Sequence, residues 1–202
     1  PTLGYLDAPD GGLTESDVNG FGPLARRAAA LLLLLDVLAA ADRPVPRPCT
    51  VASPVGLRVA AWFDHPSMVI DSATRAVLEA AADALEAQGA LVDRTARPAL
   101  DAEEAWRTGI RLIGAAISVS DDTDRGPSHR EWMLLDRRRA RHRLAWAEFF
   151  QSFDVLLCPV TLVAAFPHLQ SGYWGDRTVT VDGVARPYLD LEAWLAIVGA
   201  SG

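Results

Sequence analysis

Two apolar runs of strand length, residues 57–63 (LRVAAWF) and 90–95, are separated by a helix-patterned stretch that Asp71 opens. No other feature constrains the chain as strongly. A helix between two strands leaves no room for a hairpin, so the strands are expected to run parallel with a right-handed crossover. Within the helix Val77, Leu78, Ala81 and Leu85 recur at helical spacing, and Gly89 is placed to end it. The expected fold class is therefore α/β, a mixed sheet covered by helices.

The flanking segments complete that plan. Residues 1–22 are rich in Gly, Asp and Pro and read as extended loop. Pro23 then suits the first position of a helix running to about residue 41, and the five leucines at 31–35 mark it as buried. Pro44, Pro46 and Pro48 make a stiff connector up to about residue 54. Downstream, Asp101 with Glu104 forms a capping-box pattern ahead of Trp106, Ile110, Ile113 and Ile117, and Ser128 with Glu131 repeats it. On the second of these helices Leu135, His142, Trp146, Phe149 and Phe153 share a stripe, with Arg137, Arg138, Arg141 and Arg143 mostly off it. Residues 154–160 (DVLLCPV) read as a buried strand, Asp182-Gly183 as a two-residue hairpin tip, and 189–198 as a last helix. The organisation expected is one partial domain: residues 1–54 as loop, leucine-rich helix and connector, 55–100 as the βαβ unit, 101–202 as helices, strand and hairpin. Both ends read as cut.

Composition narrows the function classes. The 202 residues are half hydrophobic, enough to bury a core, and 26 acids against 19 basic residues, all arginine, give a net charge of −7. That balance argues against general affinity for nucleic acid or an anionic membrane, and the 137–143 arginine run reads as a solvated helix face. The leucine run meets Asp36 well short of the ~20 residues that a membrane span needs. Cys49 and Cys158 lie far apart in no metal-ligand spacing, which fits a reducing, cytoplasmic setting without a disulfide framework or zinc. The four histidines have no ligand spacing either, so no metal and no organic cofactor is expected.

Several segments together resemble the amidase signature family. Gly22-Pro23-Leu24-Ala25-Arg26, then Leu31 onward to Asp36-Val37-Leu38-Ala39, is similar to that family's GPLARS…LLLDVLAG stretch. Leu57-Arg58-Val59-Ala60 is similar to the start of its strand-helix-strand insertion, and Phe149-Phe150 with Asp154-Val155-Leu156-Leu157-Cys158-Pro159 to its FF…DVLLCP junction. Phe166-Pro167-His168 and the Asp182-Gly183, Pro187-Tyr188, Trp194 series follow in the same order. The resemblance covers nearly the whole chain and implies hydrolysis of linear amides by a serine nucleophile, a second serine on a cis peptide bond, and a lysine that manages the proton. It also implies that all three precede the GPLAR segment, so none is carried onto this chain.

No substitute machinery is evident. There is no lysine, and none of the ten serines sits in a Gly-Ser-Gly or Gly-x-Ser-x-Gly loop. Ser128 reads as a helix cap. Cys158, next to a proline at a strand end, reads as structural, although pairing with His168 or His142 would activate it. His65 and His129 adjoin expected loops. No catalytic residue is therefore assigned. The resemblance implies that the region after the DVLLCP strand helps form a small-molecule amide pocket, which makes Thr161, Phe166 and Trp174, with Tyr173 beside it, the candidate substrate contacts. Ordinary packing at a strand end is the competing reading of the same residues. The chain is expected to be an inactive fragment of an amidase, prone to aggregate through uncovered apolar faces, or else a non-catalytic module that binds a ligand or partner.

Overall fold

The computed structural model describes residues 17–18, 22–38, 53–119 and 126–201. In chain order the elements are α1 (Ala28–Leu38), β1 (Arg58–Ala61), α2 (Ser72–Ala87), β2 (Leu91–Asp93), α3 (Ala102–Ser118), α4 (His129–Ser152), β3 (Val155–Leu157), β4 (Thr178–Val181), β5 (Val184–Pro187) and α5 (Ala193–Gly199). Two single 3-10 turns, Trp174–Asp176 and Tyr188–Glu192, precede β4 and α5. The fold is α/β, with a parallel three-stranded sheet in the order β2-β1-β3 and a separate antiparallel hairpin β4-β5. The proline connector and Cys49 lie outside the described residues.

The strand-helix-strand unit is parallel, with Arg58 opposite Leu91 and Ala60 opposite Asp93. β1 runs between its two neighbours, so Val59, Ala60 and Ala61 are buried on both faces. β3 joins its other edge in parallel. Arg58 at the start of β1 clamps Asp154 just before β3: its backbone N–H and its guanidinium both donate to that carboxylate, the shortest bond being 2.6 Å. Those hydrogen bonds hold the Asp154 carboxyl down at about 2. β3 is shorter and more exposed than the sequence suggests, because Pro159 follows it and it forms an edge of the described sheet.

Local capping chemistry sets the helix starts. Asp71 accepts from the Thr74 N–H at 2.7 Å, and Ser128 with Glu131 forms a complete capping box. Asp101 caps α3 through the N–H groups of Glu103 and Glu104, but the Glu104 side chain turns toward α4 instead of closing the box. Gly89 ends α2 at φ +93, a backbone conformation that suits glycine.

Packing corrects four expectations. α2 buries Ala82, with Leu78 and Leu85 partly covered, while Val77 and Ala81 face out; in an alanine-rich helix the small side chains mark the face poorly. α3 buries Ala105, Gly109, Leu112 and Ala116 rather than the larger Ile110, Ile113 and Ile117, because small residues let α5 approach closely. A Cβ placed on Gly109 would lie 2.8 Å from the Ala196 carbonyl oxygen. On α4 the expected stripe holds at Leu135, His142, Trp146 and Phe149, with Phe153 stacked on Phe149, yet Arg139 also lies inside it. Its guanidinium pairs with Asp136 and with Asp17, both at 2.5 Å. The largest correction is α1. It begins at Ala28, with Pro23 in the preceding non-helical segment, and none of its residues is buried. A helix with one polar residue in eleven has almost no polar face to turn outward, so it needs cover on every side, and among the described residues it is at most partly covered, at Ala30, Leu31, Leu34 and Leu35. No described helix is long and apolar enough to cross a membrane.

Candidate functional site: a cleft beside the hairpin

Downstream of β3 the chain runs through residues 160–173 without regular structure and then turns into the hairpin. Both ends of this segment are pinned. At one end Leu162 is fully buried and its carbonyl accepts from the Asp71 N–H at 2.8 Å. At the other the Gly172 carbonyl accepts from the Arg177 guanidinium at 3.1 Å. The hairpin tip is tied to the same helix start as Leu162. Asp182 and Gly183 adopt φ 45 and 82, the left-handed pair of a type I′ turn, and the Asp182 carboxylate accepts from the Ser72 N–H at 3.0 Å and the Ser72 hydroxyl at 2.9 Å.

Between the pins the segment bows away from β4 and leaves a cleft of about 450 Å³, bounded by residues 163–167, Leu169, β4 residues 178–180 and Asp71. Its walls are mainly apolar, and its polar side chains are few: Asp71, one carboxylate oxygen of which caps α2, Thr178 and Thr180. That is the usual makeup of a small-molecule site. Phe166 is a wall residue and meets the Tyr188 ring edge-on at 6.3 Å. Thr161 and Trp174 are not among the lining residues. Thr161 is half-buried one position before the Leu162 pin, and Trp174 is half exposed, tilted against Tyr173 just beyond the Gly172 pin. The structure thus puts one of the three residues in the cleft and the other two in sequence just outside its ends. The free flank of β4 was the missed part, since strand pairing is not visible in a local pattern.

The other chemically capable groups are engaged elsewhere. Cys158 is half-buried, and burial alone pushes its thiol up to about 11, with neither His142 nor His168 contributing. It is a poor nucleophile in that state. His142 lies in the α3–α4 interface with Nε2 3.7 Å from Glu104, and burial lowers its pKa against a smaller opposing pull from that carboxylate. Arg138 also approaches Glu104, at 3.5 Å, and Arg143 donates to the Ser201 carbonyl at 2.5 Å, so much of the arginine run ties helices together. No group of three or more His, Cys, Asp or Glu among the described residues is placed to hold a metal ion.

No family model matches the chain. Over 193 aligned residues it is 29% identical to an indoleacetamide hydrolase of Bradyrhizobium japonicum, a match covering 80% of this chain and 41% of that protein. An indoleacetamide hydrolase of Bradyrhizobium diazoefficiens is 28% identical over 193 residues, covering 80% of this chain and 36% of its own length. The chain spans well under half the length of these curated relatives.

Proposed function

We propose that this chain is one portion of an amidase-signature hydrolase, and that the cleft beside β4 holds part of a small amide substrate. The observation that supports the reading most is the similarity to two proteins named for hydrolysing an amide with an aromatic acyl group, running over 80% of this chain. An apolar cleft walled by Phe166 suits such a group, since burial of a flat ring against aliphatic and aromatic side chains supplies binding without directional demands. Thr161 and Trp174, at the two ends of the pinned segment, would touch the substrate from its margins. The described residues belong on this reading to one partial domain, acting without metal or organic cofactor in the cytoplasm.

Cleavage of an amide needs an activated nucleophile and donors aimed at the oxyanion. With no lysine and no Gly/Ser nucleophile loop, this chain contributes binding and orientation, and the bond-breaking groups come from residues outside it. The purified chain is expected to leave indole-3-acetamide and benzamide intact while binding them weakly. Release of ammonia above a buffer control would overturn the expected inactivity. Binding without turnover by the longer protein would favour a non-catalytic ligand-binding module instead.

A further inference from the structure

The register of the hairpin determines which backbone groups face the cleft. Val181 and Val184 flank the two-residue turn, and Val179 pairs with Arg186, while Thr180 stands opposite Ala185 and Thr178 opposite Pro187. In an antiparallel ladder hydrogen-bonded pairs alternate with non-bonded ones. A two-residue turn makes Val181–Val184 a bonded pair, so the Val179–Arg186 pair is bonded as well. The Tyr188 N–H donating to the Arg177 carbonyl at 2.9 Å continues the alternation. Pro187 fits the scheme, since it has no N–H to give and occupies a non-bonded position. The N–H and C=O of Thr180, and those of Thr178, therefore point away from β5 toward the cleft. Among the described residues neither makes a backbone hydrogen bond there.

Opposite this edge the pinned segment runs from Leu162, beside the hairpin tip, to Gly172, beside Arg177, so its course is antiparallel to β4. The gap between them is a slot closed at both ends. From Thr178 to Thr180 it offers about 7 Å of strand edge, at ~3.4 Å per residue. That is too short an edge for a strand of another chain.

We propose that this slot reads the backbone of a single N-acylated amino-acyl unit, –C(=O)–NH–CHR–C(=O)–. The ligand's N–H donates to the Thr180 carbonyl, its own carbonyl accepts from the Thr180 N–H, and its apolar side chain R rests against the Phe166 and Leu169 wall. A lone trans amide cannot make both bonds, because its N–H and C=O point in opposite directions; an α-amino-acid unit presents both on one side. So paired, the ligand runs antiparallel to β4 and turns its N-acyl end toward the hairpin tip, where Asp71 lines the cleft and Asp182 sits on the neighbouring Ser72, and two carboxylates disfavour an acidic acyl group there. This deepens the amide-hydrolase reading and rests on the cleft being its substrate site: the substrate class becomes the amide of an N-acylated apolar amino acid.

The test is a titration of the isotope-labelled chain, followed by amide NMR shifts, with three probes: N-acetyl-L-phenylalaninamide, its Nα-methyl analogue, which lacks the donor, and N-methyl-3-phenylpropanamide, a lone trans secondary amide without the acylamino group. The first is expected to shift Thr178, Thr180 and Phe166 and to bind about tenfold more tightly than the other two, the worth of one or two ordinary hydrogen bonds. Thr180→Pro deletes the outward N–H without removing a ladder hydrogen bond, a change that an edge strand tolerates, and is expected to abolish the preference that Thr180→Val, which loses only the hydroxyl, retains. Equal binding of all three probes with shifts at Phe166 overturns the backbone reading and leaves the cleft as the substrate site. No shift at Phe166 with any probe overturns both. Should Thr180→Pro fail to fold, the Nα-methyl comparison on the unaltered chain decides alone.

Discussion

Helices α1 and α3 are both rich in apolar side chains, yet only α3 is covered. α3 buries Ala105, Gly109, Leu112 and Ala116 on a face matched by its helical neighbours, and keeps Arg107 and Arg111 outside. In α1 ten of eleven residues are apolar and not one is buried. The difference teaches that hydrophobic content alone does not bury a helix; a partner must be shaped to the side that the sequence offers. α3 needs a partner on its apolar face, whereas α1 needs surrounding structure on every side.

A matched pair of leucine truncations would break this comparison most sharply. Leu112→Ala removes a fully buried side chain and is expected to cost about 2–5 kcal/mol, the range for such cavities. Thermal or urea unfolding of the chain measures it, and a loss under ~1 kcal/mol would mean that α3 is not packed as described. The next effect in size is at Gly109. A methyl group there meets the α5 backbone at 2.8 Å and the Ala196 Cβ at 2.9 Å, neither of which can swing aside as a side-chain end would. Overpacking of about 1–3 kcal/mol outweighs the ~1 kcal/mol that alanine gains over glycine in a helix, so Gly109→Ala is expected to destabilise modestly. An increase in stability would show that α5 has room to move.

The α3–α4 seam adds a smaller, pH-dependent effect. The folded pKa of His142 lies below its ordinary value, so the unfolded chain binds the proton better. Its contribution is present above the ordinary imidazole range near ~6.5 and is lost as pH falls through the folded value. Melting temperatures measured from pH 7.5 to pH 5 are expected to fall more for the unaltered chain than for His142→Leu, and parallel curves would remove His142 as the cause.

Much of the local architecture was legible in the sequence because it is written in single side chains acting within a few residues. Asp71, Ser128 with Glu131, and the Asp182-Gly183 tip each identify their element by satisfying a backbone group or a positive φ. What was not legible depends on partners far along the chain. Arg139 looked like one more member of a solvated run, and only the approach of Asp17 shows why it lies inside. The candidate contacts divide for the same reason. Phe166, Thr161 and Trp174 share one stretch of sequence, but the pins at Leu162 and Gly172 determine which part of that stretch borders the cleft, and neither pin has a sequence signature.

The smallest expected effect tests the comparison from its uncovered side. Leu32 is 65% exposed, so Leu32→Ala deletes side-chain atoms that are already mostly in water, at a helix position where alanine is the better helix former. Stability of this chain is expected to change by less than ~0.5 kcal/mol, as for other exposed sites, while self-association measured by sedimentation falls because apolar surface is removed. A loss above ~1 kcal/mol in this chain alone would show that α1 is already covered in solution, for instance by a second copy, and would erase its contrast with α3. If the chain is one portion of a larger hydrolase, the same substitution in the longer protein is expected to cost about as much as Leu112→Ala, ~2–5 kcal/mol. The change in cost between the two settings would then measure how much of α1's cover lies beyond these residues.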